Sequence, residues 1–210
     1  MKAAFLVIGF VVLGVAWVGP LAHLAKNAFF AHMTVHIGVV AVAAPLLSLG
    51  IAGTRFDPVS KAGALFSPIP ASMLELFVVW AWHAPALHHA ARHSSVWFIA
   101  EQGLFLGCGI LVWLSAFGGE LPRKANRTAA GIFALLITSM HMTLLGALIG
   151  LAPRPLFLHA GGAHGLSPLQ DQHLGGAIML VGGGVSYLVG GLWLTFDLLR
   201  ETHQRRELRA

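Results

Sequence analysis

The chain has 210 residues, of which 57% are hydrophobic and only 10% charged, with a mean hydropathy of +0.77. Such a composition excludes a soluble domain and defines an integral membrane protein. The formal charge of +5 calls for no nucleic acid, because the basic residues sort as topology signals and contacts to anionic lipid.

Crossing the hydrocarbon core as a helix takes about 20 apolar residues. Six stretches are that long or nearly so, near 3–22, 28–50, 69–87, 95–117, 128–151 and 174–199. The expected fold is an all-α integral membrane protein, a six-transmembrane-helix bundle forming one polytopic domain over 1–199 with a basic tail at 200–210.

The first stretch follows Met1-Lys2, and Pro20 and Lys26 stand where a small-x-small cleavage site would be needed, so it reads as a retained helix. The second holds Pro45 and the third Pro85; each is expected to kink its helix and free carbonyls that the bundle interior must satisfy. Within the fourth, Cys108 reads as a small buried apolar residue, and Gly103 and Gly107 form a GxxxG face. Glycines crowd the last stretch at 175, 176, 182, 183, 184, 190 and 191, a pattern that lets helices pack closely. Trp82 and Trp97 near one boundary and Trp113 and Trp193 near the other read as aromatic belts. Of the connections, Ala152–Gln172 is the one large enough to act as a lid or docking surface.

Alternating the loops across the membrane puts Lys2, Arg55, Lys61, Arg123, Lys124, Arg127, Arg200, Arg205, Arg206 and Arg209 on one side and only Lys26, Arg92 and Arg154 on the other. This positive-inside bias makes both termini cytoplasmic. Glu75, near the inner end of the third helix, is expected to pair with Arg123 or Lys124, and Asp197 to cap the last helix among arginines.

Eleven of the twelve histidines then fall on the outer side, His203 alone lying in the basic tail. His32 and His36, four residues apart, share one helix face. The third helix ends at His83, the fifth carries His141, the last opens with His173, and Glu101 stands about two turns into the fourth. At about 1.5 Å per residue, His36 and His141 lie roughly 12 and 13 Å below their helix ends, so the depths match. Polar groups that deep are costly and face the bundle interior, which marks His36, His141 and Glu101 as functional candidates. The candidate metal set is therefore His32, His36, His83, His141, His173 and Glu101. His88, His89, His93, His159 and His164 fall in exposed loops, where solvated histidines and a loose metal-capturing fringe both remain open, the solvated reading being favoured for most, and Met33, Met140 and Met142 are read as packing residues. Imidazoles with thioethers at hand and no thiolate pair suit copper, whereas three histidines with a carboxylate and an open water position suit zinc.

The runs Gly19-Pro20-Leu21, Ala31-His32-Met33 with His36, and Ala44-Pro45-Leu46-Leu47 with Gly50 resemble CtaG-type cytochrome c oxidase assembly factors. So do Trp82-His83-x-Pro85-Ala86-Leu87, Ala100-Glu101-Gln102 and Asp171-Gln172-x-Leu174-Gly175-Gly176, in the same order, over about residues 17 to 195. The resemblance implies a multi-pass protein of the bacterial plasma membrane, needed to assemble haem-copper oxidase, with the oxidase subunits as partners and copper as cargo. Members of that family are usually longer and often have seven helices, against six here, and many have two prolines where this chain has Ala44-Pro45.

Three functions compete at this stage. The first is a non-enzymatic assembly factor whose outward-facing histidines supply copper. A second is a membrane zinc hydrolase with Glu101 or Asp171 activating water, although the chain lacks HExxH. The last is a haem or quinone carrier with His36 and His141 as axial ligands.

Overall fold

The computed structural model describes residues 1–119, 124–157 and 165–207, with side chains outside 124–126 and 201–207. Among these the chain is helical, with no strand. Four helical runs, Phe29–Ile51, Ser95–Phe117, Arg127–Gly150 and Pro168–Arg200, are long and apolar enough to cross a membrane. Two apolar helices are shorter, α1 (Lys2–Val18) and α5 (Pro68–Trp82).

Each shortening has a proline at its root. α1 stops because Gly19 turns extended ahead of Pro20, which opens the short α2 (Pro20–Leu24). The third expected span does not kink at Pro85 but ends. α5 closes at Trp82, Ala84 is extended, and Pro85 takes the first position of a separate helix, α6 (Pro85–His93). Proline lacks the N–H that a helix interior needs yet fits a helix start, where no partner is missed.

Pro45 behaves differently. The second span runs unbroken as α3 (Phe29–Ile37), a π-helical segment (Gly38–Ala43) and α4 (Ala44–Ile51). The wider π turn accommodates the proline ring. Pro45 cannot donate to the Ala41 carbonyl, and the Ser186 hydroxyl supplies that bond at 2.6 Å. The neighbouring Val40 carbonyl accepts from the Trp113 indole at 3.0 Å and the Tyr187 hydroxyl at 3.3 Å. Trp113 is thus a buried donor rather than part of a belt, and Trp82 is buried as well; Trp97 and Trp193 are about half exposed.

The remaining helices are α7 (Ser95–Phe117), α8 (Lys124–Gly150) and α9 (Pro168–Glu207), the last beginning six residues before the expected 174. α8 and α9 pack backbone to backbone. A Cβ on Gly176 would lie 2.4 Å from the Gly150 nitrogen, and one on Gly146 would lie 2.6 Å from the Leu180 nitrogen. Gly175, Gly182, Gly184 and Gly190 likewise admit Phe29, Ile37, Thr143 and Trp113. Gly103 and Gly107 meet nothing within 4 Å, so their GxxxG face is not a packing seam among the described residues.

At the end opposite the histidines, Asp57 clasps the loops by accepting from the backbone of Gly53, Val59 and Gly119. Lys2 donates to the Ala52 carbonyl and Arg127 to those of Ser115 and Phe66. The expected partners of Glu75 fall outside what the structure describes, Arg123 wholly and Lys124 in its side chain. The Glu75 carboxyl accepts from Tyr187 at 2.6 Å.

Candidate metal centre

α3 places His32 and His36 one turn apart, and both imidazoles are wholly buried. Its N-terminus is capped in trans. Both Asp171 carboxylate oxygens accept backbone N–H groups of that first turn, from Phe29 and Phe30, at 2.8 Å each. A carboxylate there satisfies orphan donors and complements the helix dipole, fixing the turn that carries His32. Asp171 is thereby committed and stands apart from the ligand set.

α6 brings in a residue outside the expected ligand set. His88, expected in an exposed loop, is 3% exposed, and its ring meets that of His32 edge-on at 4.7 Å. With the Glu101 carboxylate of α7, the ligand atoms of His32 and His88 all lie within 4.8 Å of one another. The missed signal was amphipathicity. Pro85 starts a helix whose apolar stripe, Leu87 and Ala91, turns His88 inward while His89 and His93 stay exposed and stack on each other.

The other candidates surround this triad unevenly. The ring centroids of His83 and His36 are 5.0 Å apart, and those of His83 and His32 are 5.9 Å apart. His83 Nδ1 lies 2.6 Å from the Val79 carbonyl, which can only accept, so Nδ1 carries the proton and Nε2 keeps its lone pair. That Nε2, both nitrogens of His32, His36 and His141, and one oxygen of Glu101 are buried without a hydrogen-bond partner. His141 approaches from α8 within electrostatic range of His36. His173 is not brought in. Its Nε2 donates to the Ala152 carbonyl at 3.1 Å and holds the chain leaving α8. His159 and His164 lie outside the described residues.

Glu101 does not face the histidines alone. Arg92 of α6, its side chain 4% exposed, forms an ion pair with one Glu101 oxygen and donates to the Ala25 carbonyl at 3.2 Å. Burial lowers the pKa of this guanidinium from its ordinary value, against the opposing pull of Glu101. The other Glu101 oxygen lies 3.9 Å from His32 Nε2. Gln102 donates to Glu101 at 3.2 Å and accepts from the Trp17 indole at 3.0 Å, so the carboxylate is oriented from two helices.

Aromatic rings wall the cluster. Phe105 meets the His36 ring at 4.3 Å, and Phe157, stacked on Phe29 at 4.3 Å, meets His88 at 4.7 Å. Phe157 comes from the long connection, held by Gln172, whose amide accepts from Leu156 N at 2.6 Å and donates to the Ile149 carbonyl at 3.1 Å. The described part of that loop therefore covers the site, as a lid would. Met33 and Met142 pack in the core, and Met140 is exposed.

A helix bundle with its buried histidines and Glu101 gathered toward one end, walled by aromatic rings and turned toward one another, is a membrane protein with an interior polar site. The chain belongs to the cytochrome c oxidase caa3 assembly factor family, whose model matches residues 1–201, nearly the whole length. No curated protein and no solved structure matches it.

Proposed function

We propose that the protein serves oxidase assembly by binding copper at the His32–His88–Glu101 cluster, with His36 and His83 as further ligands along the ion's path, and passing it to subunits of a haem-copper oxidase. One observation carries this reading: three donors of metal-ligand type are buried and converge within 4.8 Å. Buried polar atoms left without partners cost free energy and are rare in native interiors unless a ligand completes them. Two imidazoles and a carboxylate suit a first-row ion, and the neighbouring imidazoles give copper more nitrogen donors than zinc requires.

The protein acts as a carrier rather than an enzyme in this account. A hydrolase needs a carboxylate free to activate water, whereas Asp171 is spent on capping α3 and Glu101 is held by Arg92. Haem is disfavoured by the rings of Phe105 and His83 packed against His36, where a macrocycle would have to lie. The charge asymmetry of the loops supports six crossings of a bacterial plasma membrane, with α1 and α5 as the two short ones, both termini cytoplasmic and the cluster facing outward. His36 and His141, toward the middle of their spans, extend the site inward.

The test is made in cells that depend on the protein for oxidase activity. A His88→Leu variant that accumulates in the membrane to the normal level is expected to yield oxidase lacking copper. Oxidase with its full copper content in that strain would overturn the proposal.

A further inference from the structure

Glu75 is a second buried carboxyl, on α5 and apart from the cluster. It is 0% exposed; one oxygen accepts from Tyr187 of α9 at 2.6 Å, and the other has no hydrogen-bond partner. Among the described residues no lysine, arginine or histidine nitrogen lies within 4.0 Å of it. The groups facing it are Tyr187 from α9, Thr138 from α8, itself bonded to Ser72 of α5 at 2.8 Å, and Cys108 from α7. None of these bears a balancing charge, and an ionised carboxylate so enclosed is expensive. This enclosure therefore favours the neutral acid form of Glu75.

The charge count at the cluster gives that proton a use. Arg92 already neutralises Glu101, and neutral imidazoles add nothing, so an incoming monovalent ion leaves one uncompensated positive charge in a low-dielectric interior. Asp57 and Asp171 are committed to backbone N–H groups at the two ends of the bundle. Glu75 is not so committed. The Tyr187 hydroxyl that it accepts from also reaches the Val40 carbonyl, which stands about 6 Å of helix rise from His36, at the inner end of the ion's path, and about 12 Å from His32 of the cluster.

Building on the copper reading of the cluster, we propose that Glu75 is a proton site that empties as the cluster fills, one proton leaving for each monovalent metal ion bound. The O–H bond of the acid breaks with its electron pair staying on the carboxylate, the proton passes to water, and no electron is transferred. Total buried charge is unchanged, and Tyr187 remains as donor to the new carboxylate. A divalent ion would leave one charge unmatched, so the device favours a monovalent ion such as Cu(I).

The full chain, solubilised in detergent, is titrated with Ag(I), a redox-inert stand-in for Cu(I), while bound silver and released protons are both measured. About one proton per silver is expected. Glu75→Gln, isosteric with the neutral acid, should bind silver and release almost none, and Cys108→Ser should release as much as wild type. By infrared absorption the wild type should show an acid carbonyl band that silver removes. Glu75→Gln should lack that band, and Tyr187→Phe, which keeps the acid but loses its donor, should shift it. Silver binding without proton release, release undiminished in Glu75→Gln or abolished in Cys108→Ser, or no acid band assignable to Glu75 would each overturn the inference. No silver binding at all would instead bring down the copper reading and the coupling with it, while the band still reports whether Glu75 is protonated.

Discussion

Removing the charge of Arg92 tests how the centre is held together. In Arg92→Met the side-chain volume is kept, but Glu101, 0% exposed, loses its ion-pair partner. Leaving one member of a buried pair uncompensated costs about 3–5 kcal/mol, and Glu101→Gln, which strands the guanidinium, should cost a similar amount. The double variant strands nothing, so it should lie within about 1–2 kcal/mol of wild type rather than at the sum of about 6 or more. Denaturant titration of the four proteins in mixed micelles, followed by circular dichroism, measures the cycle. If the two losses simply add to within about 0.5 kcal/mol, the pair is uncoupled and the account of Glu101 as a carboxylate shared between Arg92 and the histidines is wrong. Copper affinity is read on the same samples, and Arg92→Met should bind more tightly because a competing cation is gone.

Other perturbations probe the scaffold. Gly176→Ala sets a methyl against the Gly150 backbone, which has no side chain to yield, so α8 and α9 must part and stability should fall by about 1–3 kcal/mol. Gly103→Ala, with open space beside it, should stay within about 0.5 kcal/mol by the same unfolding measurement. Asp171→Ala removes the trans cap of α3 at a cost of about 1–2 kcal/mol, and hydrogen exchange should show faster opening of the Phe29 and Phe30 amides. His173→Asn should leave copper binding unchanged, checked by metal analysis of the purified variant, because its ring is engaged with the Ala152 carbonyl.

Much of this is legible in the amino-acid sequence. Hydropathy located the apolar helices, and the i, i+4 spacing put His32 and His36 on one buried face. The order of the motifs pointed to the family that the match over residues 1–201 shows. What escaped the sequence lay where proline decides between kink and stop. Pro45 sits inside one run and is absorbed by a π turn, because Ser186 can supply the missing donor. Pro85 ends a helix and starts another, and nothing local distinguishes the two cases. Misreading Pro85 sent His88 to a loop and left it out of the site. Asp171, Gln172 and Gly175 showed the family pattern without their purposes. Those purposes are a cap, a loop anchor and room for Phe29, partners distant in sequence that only the folded bundle brings together.

The central claim is that His32, His88 and Glu101 together hold copper. Its most direct test is the copper content of purified, reduced and Cu(I)-loaded protein, wild type beside a His32→Ala/His88→Ala double variant. About one tightly held ion per chain is expected in the wild type and almost none in the variant. Wild-type protein that holds no copper, or a double variant that holds as much as the wild type, would contradict it.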